Sequence, residues 1–209
     1  MSHTDVGFRR LLVLPYFYEL YQALVGGNAL RRTYLHQVVR PTPGMRVLDV
    51  GCGTGHILDL LPPSVHYVGI DMNERYIQLA RRRYGTRPNV RFVADRVESI
   101  RLTPDEPYDI VMANALLHHV DDDAARSMLR QAHDALRVGG AFCSFENAWH
   151  PDQSAIARFI ISKDRGRSVR TVEGYEKLLR EFFPQVESSV SHRSLRIPYT
   201  IVTLRAQKA

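Results

Sequence analysis

The chain has 209 residues, is 44% hydrophobic and carries a formal net charge of +6. That length and apolar content suit one globular domain with a sizeable core. No apolar run approaches the roughly 20 residues that span a bilayer, and two cysteines, Cys52 and Cys143, are too few for a disulfide framework.

Residues 11–18 make a poor signal-peptide core, interrupted by Pro15 and followed by Glu19 with no small-residue cleavage site. A reducing, cytoplasmic setting is therefore expected, with no membrane partner. The positive charge is almost all arginine, since Lys163, Lys177 and Lys208 are the only lysines. Arginine grips phosphates, so a nucleic-acid partner has to be weighed. No basic run is interleaved with the aromatics a single-strand binder needs, and Arg81-Arg82-Arg83 ends a predicted helix where cations complement the dipole. Surface composition is the favoured explanation, and nucleic acid is not the expected partner.

Hydrophobic period divides the chain into three stretches. Residues 15–25 and 28–39 read as two helices hinged at Gly26-Gly27, and the first carries Tyr16, Phe17, Tyr18 and Tyr21. Strands at 45–50, 65–70, 89–93, 107–113 and 140–146 alternate with helices at 54–61, 73–84 and 121–137, with Asp121-Asp122-Asp123 opening the longest helix. This alternation means a mostly parallel sheet covered on both faces. Helices at 152–162 and 171–183 follow, the second capped by Thr171, and then two β-rich runs at 186–191 and 199–204 that close the sheet as an antiparallel pair. The whole of 1–209 is expected to be one domain: a helical lid at 1–40, a ligand-binding core at 41–147, and substrate-side helices with closing strands at 148–209. The aromatic N-terminal helix reads equally well as a helix packed on the sheet edge.

The most informative stretch is Val47-Leu48-Asp49-Val50-Gly51-Cys52-Gly53-Thr54-Gly55-His56. A strand ends in an acid and runs into three alternate glycines, bringing bare backbone against a ligand. Twenty residues after Gly51 a second strand ends in Asp71, placed to accept both hydroxyls of a ribose. In a dinucleotide fingerprint the third glycine would stand at His56, and Asp49 would face the cofactor's phosphates. An acid there better suits a ligand carrying an ammonium and no phosphate.

This D-x-G-x-G-x-G pattern resembles motif I of the class I S-adenosylmethionine-dependent methyltransferases. Val68-Gly69-Ile70-Asp71-Met72, Val90-Arg91-Phe92-Val93-Ala94-Asp95, Tyr108-Asp109-Ile110-Val111-Met112-Ala113-Asn114 and Leu136-Arg137-Val138-Gly139-Gly140-Ala141-Phe142 resemble the later motifs in order, with Val138 where the family often has proline. The resemblance implies an α/β fold, a Rossmann-like doubly wound, mostly parallel seven-stranded sheet with helices on both faces and an antiparallel C-terminal strand pair. It implies S-adenosyl-L-methionine as cofactor and S-adenosyl-L-homocysteine as product. Gly51, Cys52 and Gly53 are expected to pass beneath the methionine and ribose, Asp49 to hold the ammonium, and Asp71 the ribose hydroxyls. Met72 is expected against adenine, Asp95 with Arg96 and Val97 at its amine, and Asn114 and Ala115 under the sulfonium.

The fourth strand ends in Asn114-Ala115-Leu116-Leu117 rather than N/D-P-P-Y, and no Pro-Cys nucleophile is present. Both absences favour a small-molecule acceptor, methylated at oxygen or nitrogen, over an RNA methyltransferase or a non-catalytic cofactor-binding module. For the acceptor's proton the candidate bases are His119, then Tyr21 and His150. Trp149, Arg165 and Arg170 are candidate substrate contacts, the arginines for an anionic acceptor. No metal is expected: adjacent His118 and His119 should face different ways, and Asn114 stands where a magnesium-type site beside Glu146-Asn147 needs an acid. Monomer and homodimer both stay open.

Overall fold

The structure, a computed structural model, describes residues 24–95, 106–164, 166 and 168–209. The first predicted helix, with Tyr21, lies outside the described residues, as do Arg96, Val97 and Arg165.

Helix α1 (Gly27–Tyr34) starts after Gly26, whose φ of 92° is the left-handed turn expected at the hinge, and continues as a π-helical turn, Leu35–Val39. Arg205 donates to the Val38 and Val39 carbonyls and so satisfies acceptors that the helix end leaves open. Then follow β1 (Arg46–Val50), β2 (His66–Asp71), α2 (Glu74–Tyr84), β3 (Val90–Ala94), β4 (Tyr108–Met112), α3 (Asp122–Ala135), β5 (Leu136–Asn147), α4 (Ala155–Ser162), α5 (Val172–Arg180), β6 (Gln185–Ser191) and β7 (Ile201–Gln207). The sheet runs β3-β2-β1-β4-β5-β7-β6. The first five strands are parallel, and β7 pairs antiparallel with both β5 and β6. The expected seven-stranded fold is present.

Side chains alternate between two cores because strand residues point to opposite faces. Val47, Ile110, Met112 and Cys143 pack with α1 and α2. Leu48, Val111 and Phe142 pack with α3 and α5. Each fully buried leucine or phenylalanine contributes about 1.5–3 kcal/mol.

Capping follows the sequence closely. Asp121 accepts from the Ala124 N–H at 2.9 Å, Ser154 from Ala157 at 3.1 Å and Thr171 from Gly174 at 3.1 Å.

Two elements differ from expectation. The helix expected at 54–61 shrinks to a 3-10 turn, His56–Asp59. Gly55 turns left-handed before it (φ 77°), and Pro62-Pro63 stop it behind. A Cβ at Gly55 would sit 2.9 Å from Phe92, so this glycine performs the close packing a dinucleotide fold assigns to its third glycine. The helix expected at 121–137 ends at Ala135, because Leu136 is already extended and pairs with Tyr108 in the sheet. Gly139 and Gly140 therefore belong to an irregular start of β5.

Candidate active site

β1 lies between β2 and β4, and the chain leaves the sheet in opposite directions on its two sides. Such a switch point opens a crevice beyond the strand ends. A cavity of about 990 Å³ occupies it. Its floor is Asp49 to Thr54, its β2 side Ile70 to Asn73, and its β4 side Asn114, Ala115 and Leu116. Asn28 and Arg31 from α1 and Tyr76 from α2 close over it.

Gly51 and Gly53 both adopt left-handed backbone, φ 73° and 56°. A Cβ built on Gly53 meets nothing within 4 Å, so a side chain there would project into ligand space rather than into protein. Asp71 fixes this loop: one carboxylate oxygen accepts from the Gly53 N–H at 2.9 Å, the other from Asn73 at 2.8 Å. Each oxygen keeps a lone pair for a ligand hydroxyl.

Asp49 is only 3% exposed and accepts from the Tyr67 hydroxyl at 2.7 Å. Burial pushes its carboxyl up to about 7; Asp71 adds to the rise, while Tyr67 and Arg31 oppose it. Burial also drives the Tyr67 phenol well above its ordinary value, which keeps it a donor. Across the cavity the Asn114 Oδ1 is buried without a hydrogen-bond partner among the described residues. A buried orphan acceptor costs about 1–3 kcal/mol. The backbone beside it is held in an unusual form, Ala115 at φ 51° with its N–H on the Phe145 carbonyl at 2.8 Å.

Glu146, fully buried, organises the segment that follows. Its carboxylate accepts from the N–H groups of Leu116, Leu117 and His118, from the Ser144 hydroxyl and from the His118 ring. His119 follows in the same 3-10 turn and lines the cavity.

Of the remaining sequence candidates, Cys52, Met72 and Asp95 also line the cavity, and Met72 is 71% exposed. His150, Trp149 and Arg170 do not. His150 donates its N–H to Gln153 and sets its ring edge-on to His192, at 5.2 Å. Trp149 bridges to Thr171 as the chain turns away from the sheet, donating to the Arg170 carbonyl. The Arg170 guanidinium is consumed structurally: it donates to Asp122 and to the carbonyls of Leu117, Val120 and Ser168. The expectation of opposed histidines is also corrected. Their ring centroids lie 4.1 Å apart, and Asp164 joins them from the loop after α4.

Sequence reasoning missed Arg31, Tyr76 and Glu146. Asn28 and Arg31 stand three apart and so share a helix face, which was a usable signal. Nothing in the sequence said that this face covers the crevice.

Residues 47–140 match a protein-family model described as "Methyltransferase domain". Together with the sheet order, the glycine turn and the acids at the ends of β1 and β2, this decides the family. Residues 47–140 form a methyltransferase domain of the class I S-adenosylmethionine-dependent kind. Phosphoethanolamine N-methyltransferase 1 of Arabidopsis thaliana is 28% identical over 196 residues, 86% of this chain and 39% of that protein. Ubiquinone biosynthesis O-methyltransferase of Shewanella is 32% identical over 117 residues, 54% of this chain and 48% of the relative. The chain thus spans less than half the length of these curated relatives. Among solved structures, the Haemonchus contortus phosphoethanolamine N-methyltransferase 2 superimposes with TM-score 0.74 at 14% identity. The match covers 95% of this chain and 58% of that one, and that structure holds phosphomonomethylethanolamine and S-adenosylhomocysteine. The cavity of this domain offers hydrogen-bond acceptors at Asp49, Asp71 and Asn114, and a glycine cradle with open space above Gly53.

Proposed function

We propose that this protein transfers a methyl group from S-adenosylmethionine to an oxygen or nitrogen of a small-molecule acceptor. The observation that carries the reading is the pair of hydrogen-bond acceptors in one cavity, buried Asp49 and the unpartnered Asn114 Oδ1. They need a cationic donor between them, which an ammonium supplies and a pyrophosphate does not. Asp71 would accept the ribose hydroxyls, with Met72 and Asp95 at the adenine end. Arg31 would balance the carboxylate of the methionine portion. When bound, the cofactor supplies a methyl group already activated on a sulfonium.

The chain's own work is then alignment and exclusion of water, and alignment alone supplies about 7–11 kcal/mol of barrier reduction. Leu116, Val120, Met128 and Phe145 form the apolar wall at the β4 side. His119 lines the same side and would receive a proton from an acceptor hydroxyl or amine. The names of the relatives, N-methyltransferase and O-methyltransferase, support small acceptors at either atom.

The test is conversion of S-adenosylmethionine to S-adenosylhomocysteine in the presence of panels of small amines, phenols and carboxylates, with structured RNA as a parallel arm. Stimulation by a small acceptor is expected. Turnover that only RNA stimulates would replace this reading with an RNA methyltransferase.

A further inference from the structure

Five polar residues meet behind the β4–α3 segment. The His118 Nδ1 lies 2.6 Å from a Glu146 carboxylate oxygen. Glu146 already accepts three backbone N–H groups and a serine hydroxyl, so its carboxylate is fully engaged and fixes the ring. That leaves the His118 Nε2 facing Asp164 Oδ1 at 3.7 Å. This separation is too long for a hydrogen bond. Asp164 itself is positioned by the Tyr199 hydroxyl at 2.7 Å on one oxygen and the Gly166 N–H at 2.9 Å on the other. Burial raises its carboxyl, but those two donors and the nearby histidines together hold it below its ordinary value, so it is ionised at neutral pH. His119 supplies a third donor atom, and the three atoms lie within 4.8 Å of one another.

We propose that His118, His119 and Asp164 form a binding site for a borderline divalent transition ion of the Zn²⁺ class. Two imidazoles and a carboxylate are a donor set suited to zinc rather than to magnesium or calcium, which prefer all-oxygen shells. At zinc–ligand distances of about 2.0–2.2 Å the donor atoms of a tetrahedral site stand roughly 3.3 Å apart. The observed 3.7 Å between Nε2 and Oδ1 therefore closes with a small side-chain shift. Glu146 supplies the carboxylate behind the ligating imidazole that orients such a ligand and raises its basicity. His118 is buried, but His119 is exposed and lines the cavity, so an ion reaches the cluster from that side. Three protein ligands leave one position open, and in the ion-loaded protein His119 is a ligand rather than the proton acceptor. The competing arrangement is His118 held between Glu146 and Asp164 with no ion.

The protein is dialysed against chelator and titrated with ZnCl2 by calorimetry, with cobalt absorption as a second readout. The expected result is one ion per chain with micromolar or tighter affinity, four- or five-coordinate cobalt bands, and no displacement by millimolar Mg²⁺. His119→Ala and Asp164→Asn should each weaken binding at least tenfold. Each variant is also titrated with S-adenosylhomocysteine, so a failed fold is recognised and failure of the ion site stays separate from failure of the cofactor reading. Absence of saturable Zn²⁺ binding in protein that binds S-adenosylhomocysteine would overturn the proposal. So would binding that survives both substitutions but is lost in His192→Ala, which would place the ion at the His150–His192 pair.

Discussion

At the scale of single residues, Asp49 carries the most consequence. Its carboxyl is held near 7 by burial while its ordinary value is 3.8. The sign follows from linkage. Between pH 3.8 and 7 the unfolded chain has released this proton and the folded chain keeps it, so the ligand-free fold loses stability as pH rises through that window. Asp49→Asn should therefore raise the melting temperature of the ligand-free protein at pH 8. Function pulls the other way. Pairing with an ammonium favours the carboxylate, so binding of S-adenosylhomocysteine should release a proton below pH 7. Its Kd should rise toward tenfold per pH unit as pH falls below 7, and Asp49→Asn should remove that dependence. At pH 8 the same variant should bind the product about 10–100-fold more weakly, the worth of a charge-assisted hydrogen bond of roughly 1.5–3 kcal/mol. Unaltered affinity in calorimetry would remove Asp49 from the site. Asp49, Gly51, Gly53 and Asp71 were legible because the turn itself demands acid and glycine at fixed spacing. The Glu146 carboxylate was not, since it acts through five hydrogen bonds that only the folded sheet assembles.

Among the elements, the segment from Asn114 to Val120 is the one the fold works hardest to hold. Glu146 anchors it from β5, and Arg170 clamps it from the start of α5 by bonding the carbonyls of Leu117 and Val120 together with Asp122. Arg170→Ala leaves those carbonyls without their donor, and a cost of about 2–4 kcal/mol is expected. For a chain of this size that lowers the melting temperature by roughly 4–16 °C. Lysine, which lacks the planar fork, should recover little of it. A second expectation concerns the turn after β1. Gly55→Ala must bear both a left-handed backbone and a Cβ contact with Phe92, so a loss of about 1–3 kcal/mol is expected by chemical denaturation. No change would mean that the turn repacks freely. Caps at Asp121 and Thr171 were legible because capping is local. The short turn at His56–Asp59 was not, because apolar spacing over 54–61 reads as helix while Gly55 and Pro62 set its limits.

For the whole molecule, strand order and the crevice at the β1–β4 switch follow from alternating periods along the chain. Periodicity identifies which residues share a face. It does not say which face meets the crevice, and so Arg31 and Tyr76 were not singled out while Arg170 and His150 looked available. Among the described residues no helix is long and apolar enough to cross a membrane. The glycine cradle, flanked by Asp49 and Asn114, is expected to hold a nucleoside with an ammonium and no phosphate. Calorimetry at pH 8 with S-adenosylhomocysteine and with NAD measures this directly. One saturable site for S-adenosylhomocysteine, weakened in Asp49→Asn, and no heat from NAD is the predicted result. Saturable NAD binding with no response to S-adenosylhomocysteine would make the crevice a dinucleotide site instead.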